Sequence, residues 1–230
     1  MKTIGLIGGL SWESSLEYYR IINEETKRRL GGLHSAQCIM YSFDFGPVEK
    51  LMCQGEWGEL TEAMLGAAQR LKLGGADFIM ICSNTMHKMA DSVQNTVHIP
   101  VLHIADAAAK IIKNQGVKKV GLLGTKFCME GDFYQYRLKE NFGIDSIVPD
   151  ERERELINDI IFKELCLGII KQSSRDQLKG IIDKLVLQGA EGVILGCTEI
   201  PLLIKQQDTT IPVFDTMTIH AAAAVDLALA

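Results

Sequence analysis

Short unbroken apolar runs alternate along this chain with longer stretches in which apolar residues return every three or four positions. The first kind predicts buried strands and the second amphipathic helices, so the alternation implies βαβ units around mostly parallel sheets. Thr3–Ile7 predicts a strand ending in Gly8-Gly9. Ser11 can cap a helix over about Trp12–Arg29, on which Leu16, Tyr19 and Ile22 recur at helical spacing. Gln37–Phe43 predicts a strand, Trp57–Leu73 a helix closed by Gly74-Gly75, and Phe78–Cys82 a central strand covered on both faces. Ser83 or Asn84 then opens a helix, Val101–Ile104 is a strand, and an alanine-rich helix ends near Gly116. The same order follows again: strands at Val120–Leu123, Ser146–Val148, Gly192–Leu195 and Val213–Phe214, helices at about 132–142, 153–167 and 175–188, and a closing helix from Ile219.

The replay is visible in the residues themselves. Gly75-Ala76-Asp77, an apolar run and Ser83-Asn84-Thr85 recur as Gly189-Ala190-Glu191, an apolar run and Cys197-Thr198-Glu199, each offset by 114 positions. Lys2-Thr3-Ile4-Gly5-Leu6-Ile7-Gly8 is echoed by Lys118-Lys119-Val120-Gly121-Leu122-Leu123-Gly124, and Ile99-Pro100-Val101 by Ile211-Pro212-Val213. Three matches in one order mean two related halves. The expected fold is α/β: two doubly wound parallel-sheet domains related by pseudo-twofold symmetry, with an active site in the cleft between them. Residues 1–103 with 216–230 form the first domain and 104–215 the second, because the last helix has no later half to join. Ser83 and Cys197 would then occupy equivalent positions on two walls, an arrangement suited to chemistry on opposite faces of one small molecule.

Composition narrows the class. The 230 residues are 47% hydrophobic and 23% charged, with a net charge of −5 and no basic stripe, so nucleic acid is an unsuitable partner. No apolar stretch has the length of a membrane span, and the N-terminus does not have the form of a signal peptide. The six cysteines show neither CxxC spacing nor a small-domain disulfide framework, which suits free thiols in a reducing cytoplasm. The five histidines are scattered away from the cysteines, so no metal is expected. Gly5 and Gly8-Gly9 do not match GxGxxG, which argues against a dinucleotide.

In open parallel sheets ligands bind beyond the carboxyl ends of the strands. That rule selects Gly8–Trp12, Ser83–Thr85, Gly124–Lys126 and Cys197–Glu199, with His103 and Asp215 at further strand ends. Loops that open helices present unpaired N–H groups to an anion such as a carboxylate. Taken singly, Ser83 is a good helix cap and Cys197 a small buried hydrophobe; paired by the repeat, they become candidate catalytic groups.

Ser83-Asn84-Thr85-Met86-His87 and Gly196-Cys197-Thr198-Glu199-Ile200 resemble the paired Cys-Asn-Thr-x-His and Gly-Cys-Thr-Glu motifs of the aspartate/glutamate racemase family. The resemblance extends to Gly8-Gly9 with Ser11-Trp12-Glu13, and to Leu122-Leu123-Gly124-Thr125 with Met129-Glu130, and covers essentially the whole chain. Glu199 stands where glutamate racemases of cell-wall synthesis typically carry His. The resemblance implies an amino-acid racemase, an isomerase of amino-acid metabolism, that uses neither pyridoxal phosphate nor metal. Two cysteines flank the substrate Cα: one removes the α-proton while the other returns one to the opposite face. A thiol suits this work because its reference pKa, about 8.5, falls at helix N-termini and near cations. By matching positions, Asn84, Thr85 and Thr198 would hold the α-carboxylate, with Thr125, Gly9, Ser11 and Trp12 as further substrate contacts. His87 and Glu199 would support the site. The family also implies a homodimer. Lys126, Lys163 and Arg137 are the cations open to a distal substrate carboxylate.

One position departs from the family pattern. Ser83 stands where the first cysteine belongs, and Cys82, one residue earlier, should point in another direction. A serine hydroxyl is too weak an acid to serve as a base without an activating partner. Cys197 becomes the one competent base, and since the second-half cysteine of related racemases serves the L-enantiomer, L-substrates should lose their α-proton readily and D-substrates poorly. Two alternatives stand beside this reading: a single-cysteine decarboxylase or cis-trans isomerase of the same superfamily, and a carboxylate-binding protein that has lost racemase activity.

Overall fold

The computed structural model describes all residues from Met1 to Ala230, in two compact units, Met1–His103 with His220–Ala230, and Ile104–Ile219. In the first unit β1 (Ile4–Gly8) leads through α1 (Trp12–Leu30) to β2 (Cys38–Ser42), then through α2 (Phe45–Gln54) and α3 (Trp57–Leu73) to β3 (Phe78–Ile81), and through α4 (Ala90–Val97) to β4 (Val101–Leu102). The four strands are parallel in the order β2-β1-β3-β4. The middle strands β1 and β3 are buried at every residue, as their unbroken apolar sequences require.

The second unit repeats this plan. It starts with α5 (Ile104–Asn114) and β5 (Lys119–Gly124), followed by α6 (Lys126–Glu130), α7 (Asp132–Phe142), β6 (Asp145–Ile147), α8 (Glu151–Lys163), α9 (Gln172–Leu187), β7 (Gly192–Gly196) and β8 (Val213–Asp215). Its sheet is parallel, ordered β6-β5-β7-β8. Side chains alternate across it: Leu123, Val193 and Leu195 pack with Ile157, Ile161, Ile182 and Leu185 of α8 and α9, while Val120, Leu122 and Ile194 pack with Ile104, Ala108, Ile112 and Leu138 of α5 and α7. The final helix, α10 (Thr216–Leu229), begins in this unit and continues in the first.

Several helices start at side-chain caps. Ser11 accepts from the Ser14 N–H at the head of α1, and Asp150 and Glu153 form a reciprocal capping box on α8. Several elements differ from expectation. β4 stops at Leu102, because His103 turns away and Ile104 already opens α5. A 3-10 turn at Thr85–Met89 precedes α4, so the helix foreseen at Ser83 or Asn84 starts later. α8 ends at Lys163, and Leu165–Leu167 is a separate 3-10 turn closed by Gly168 in the left-handed region. α2 and α6 have no counterpart in the sequence reading. The second unit extends to Ile219, beyond residue 215, because the Thr216 hydroxyl donates to the Leu195 carbonyl at 2.7 Å and anchors the start of α10 there.

Candidate active site

Each unit gathers its candidate residues on the loops that leave its two central strands. In the first unit Gly8 and Ile81 end β1 and β3, so the Gly9–Trp12 and Ser83–His87 loops emerge from neighbouring strands. Gly9 has φ +72° and its missing side chain would collide with the Phe43 backbone, so only glycine lets this loop pass. Its N–H donates to Ser15 Oγ at 2.8 Å, and Ser15 Oγ donates in turn to the Ser11 carbonyl at 2.8 Å. Trp12 is 66% exposed. It lines an open groove of about 450 Å³ with Ser15, Leu16, Tyr19, Cys38, Met40 and Ser42, on the β2 side of β1 and away from β3.

Ser83 is half-buried, and its hydroxyl accepts from the Met86 N–H at 3.4 Å, the geometry of a cap. No acidic or basic side chain bonds this hydroxyl, so nothing activates it as a base. Its carbonyl binds His87 Nδ1 at 2.6 Å. Asn84, Thr85 and His87 are buried beside it. Cys82 closes the buried strand run and its thiol is pushed far up by burial alone, so it is no replacement for a cysteine at position 83.

In the second unit Gly124 and Gly196 face each other at the ends of β5 and β7, and a Cβ at Gly124 would lie 2.7 Å from the Gly196 carbonyl oxygen. This close approach brings Thr125 and Cys197 out side by side. Thr125 Oγ1 accepts from the Cys128 N–H at 3.2 Å and caps α6. Cys197 is 7% and Glu199 3% exposed. The Cys197 thiol and the Thr198 hydroxyl each donate to the same oxygen, Glu199 Oε2, at 2.9 Å.

This arrangement overturns one detail of the sequence reading. The thiol was expected to be acidified by a helix N-terminus or a cation. Only a short 3-10 turn, Ile200–Leu202, follows it. Burial, then the Glu199 carboxylate, push Cys197 well above its ordinary value, so at neutral pH it rests as a hydrogen-bonded thiol. The Thr198 hydroxyl likewise donates to Glu199. Among the three candidate cations, Arg137 is bound through two nitrogens to Asp106, and Lys163 pairs with Asp159 on the surface. Lys126, one residue after Thr125, is held only by an exposed contact with Glu155 at 3.6 Å. No group of three His, Cys, Asp or Glu side chains is placed to hold a metal ion, and no helix is long and apolar enough to cross a membrane.

A sequence model described as Asp/Glu/Hydantoin racemase matches residues 7–224. The chain belongs to this racemase family. Among solved structures, a protein from Yersinia pestis, provisionally described as an Asp/Glu racemase, is 53% identical with a TM-score of 0.93, over 100% of both chains. An aspartate racemase homologue from Pyrococcus horikoshii OT3 is 39% identical with a TM-score of 0.86, again over 100% of both. The broad specificity amino-acid racemase of Bacillus subtilis (strain 168) is 27% identical over 176 residues, 75% of this chain and 74% of that protein. As a member of the racemase family, the chain carries the doubled α/β architecture. Tyr18, His103 and His220, buried behind the Ser83 loop, are the neighbours that the motifs did not single out as a group.

Proposed function

We propose that this chain is a cofactor-independent racemase of aspartate or glutamate that takes the α-proton from the L-enantiomer with Cys197. The observation that carries the reading is the buried Cys197 thiol donating to Glu199 at the carboxyl end of β7, at the position that the repeat pairs with Ser83. In this mechanism the thiol passes its proton to Glu199, so that a thiolate and a neutral acid replace a thiol and a carboxylate with no change in net charge. The substrate's α-ammonium favours that transfer by its positive charge. The thiolate then removes the α-proton. Asn84, Thr85 and Thr125, with N–H groups of the Gly9–Trp12 and Thr198 loops, stabilise the negative charge that spreads onto the substrate carboxylate. A water on the Ser83 side protonates the opposite face, and exchange with solvent discharges both the hydroxide left behind and the proton on Glu199.

The reverse direction needs a base at position 83, and serine is a poor one. The test is proton NMR of α-hydrogen loss in D₂O, run separately on L- and D-aspartate and L- and D-glutamate. Exchange confined to the L-enantiomer of at least one substrate is expected. Cys197→Ala should abolish it with little change in stability, and Ser83→Cys should make the D-enantiomer a comparable substrate. Exchange that survives Cys197→Ala overturns the assignment of the base; no exchange from any of the four amino acids overturns the racemase.

A further inference from the structure

Behind the Ser83 loop, within the first unit, lies a chain of buried rings. The His87 ring centroid is 4.6 Å from that of His103 and 5.6 Å from that of His220, and the His220 ring meets Tyr18 edge-on at 5.8 Å. Tyr18 and His220 are fully buried and His87 and His103 nearly so. Their hydrogen bonds determine where the protons sit. A backbone carbonyl only accepts, so the 2.8 Å contact of His220 Nε2 with the Leu102 carbonyl places a hydrogen on Nε2. His220 Nδ1 is then a lone pair, which accepts from the Tyr18 hydroxyl at 3.1 Å. By the same rule His87 Nδ1 carries a hydrogen and donates to the Ser83 carbonyl at 2.6 Å. Burial, with His87 as neighbour, lowers the His220 pKa to about 3, which agrees with a neutral ring. His103 and His220 are also the residues at which the chain leaves the first unit and re-enters it.

We propose that Tyr18, His103 and His220 are positioning residues that act through His87 to fix the Ser83-Asn84-Thr85 loop, and thereby the substrate face opposite Cys197. The proposal rests on the racemase reading above. The rings touch no reacting atom; they hold the carbonyl of the residue whose hydroxyl and neighbours meet the substrate. A loop released by even a fraction of an ångström should lose chemistry at its own face first, since misplacement of about 1 Å can cost about a hundredfold in rate.

The experiment uses the full chain with Tyr18→Phe, which removes one hydroxyl, and His220→Gln, which keeps a donor for Leu102 but loses the ring and the Nδ1 acceptor. Each is made alone and in a Ser83→Cys background, where the thiol at position 83 reports on the loop. The expected result in that background is a fall of about tenfold or more in kcat for α-proton loss from the D-enantiomer. Loss from the L-enantiomer should keep its kcat within about twofold while its KM rises. Equal loss of kcat on both enantiomers, or loss on neither, overturns the positioning role. If His220→Gln does not fold, Tyr18→Phe decides, because it leaves every ring in place. A second readout does not depend on turnover: ¹⁵N spectra should show His220 as the Nε2–H tautomer, and Tyr18→Phe should shift the Ser83 and Asn84 amide resonances. Unmoved amides overturn the proposal even in an active enzyme. Shifted amides in a protein that exchanges no α-proton uphold the network and sink the racemase reading alone.

Discussion

The thiol–carboxylate contact between Cys197 and Glu199 has a consequence that cuts two ways. The carboxylate helps keep the resting thiol protonated, and in the proposed reaction it also receives the thiol's proton. Glu199→Gln should therefore raise the rate at which iodoacetamide alkylates Cys197 at pH 8 while lowering α-proton exchange by about a hundredfold, the usual worth of a placed proton acceptor. Parallel changes in both rates would contradict the dual role. His220 offers a test of stability instead. The unfolded chain binds a proton there below about pH 6.5, whereas the folded chain refuses it until about pH 3. Unfolding free energy should thus fall by about 1.4 kcal/mol per pH unit on this residue's account as pH drops through that window. Urea unfolding of the parent and His220→Gln between pH 6.5 and 4 should show a flatter dependence in the variant. The sequence named Glu199 as a support for the site but not the atom it meets, and the Tyr18–His220 contact was not legible at all. Glu199 lies only two residues from Cys197, but the direction of its side chain is set by the turn after β7; Tyr18 and His220 are 202 positions apart, and no periodicity links them.

Elements were far more legible than contacts, for a physical reason. A strand covered on both faces must be apolar at every position, so β1, β3, β5 and β7 stand out in the sequence, and the repeat marks each pair twice. The Ser11 cap was readable because it bonds the Ser14 N–H three residues on, whereas the Asp150–Glu153 capping box, which starts α8 earlier than expected, was not foreseen. The short connections were not: α6 has five residues and the Thr85–Met89 turn is 3-10, too brief for a helical period to register. The turn out of β1 carries a stringent demand on one residue. Gly9→Ala places a methyl group against the Phe43 backbone at a positive φ, so both the end of β2 and the first turn of α1 must shift. Thermal unfolding should detect a loss of several degrees, about 1–3 kcal/mol, and an unchanged melting temperature would show that the turn relaxes without strain.

The whole molecule is two copies of one plan, with strand orders β2-β1-β3-β4 and β6-β5-β7-β8, and the racemase family matches nearly the full length. Its connectivity is not symmetric. The second unit is one unbroken segment, Ile104–Ile219, whereas the first needs His220–Ala230 from the far end of the chain. That tail supplies His220, Ala221, Ala224, Val225 and Ala228 to the first unit's interior, and the Lys2 N–H donates to the Ala228 carbonyl at 2.8 Å. On a ribosome, then, the first unit is completed only after the second: residues 1–103 wait without their closing helix until 104–219 have been synthesised. Nascent chains stalled with residue 219 just outside the exit tunnel should already protect 104–219 from protease while 1–103 is still cut. Protection of both halves at that length would mean that α10 is dispensable to the first. Birth order and completion order run in opposite directions.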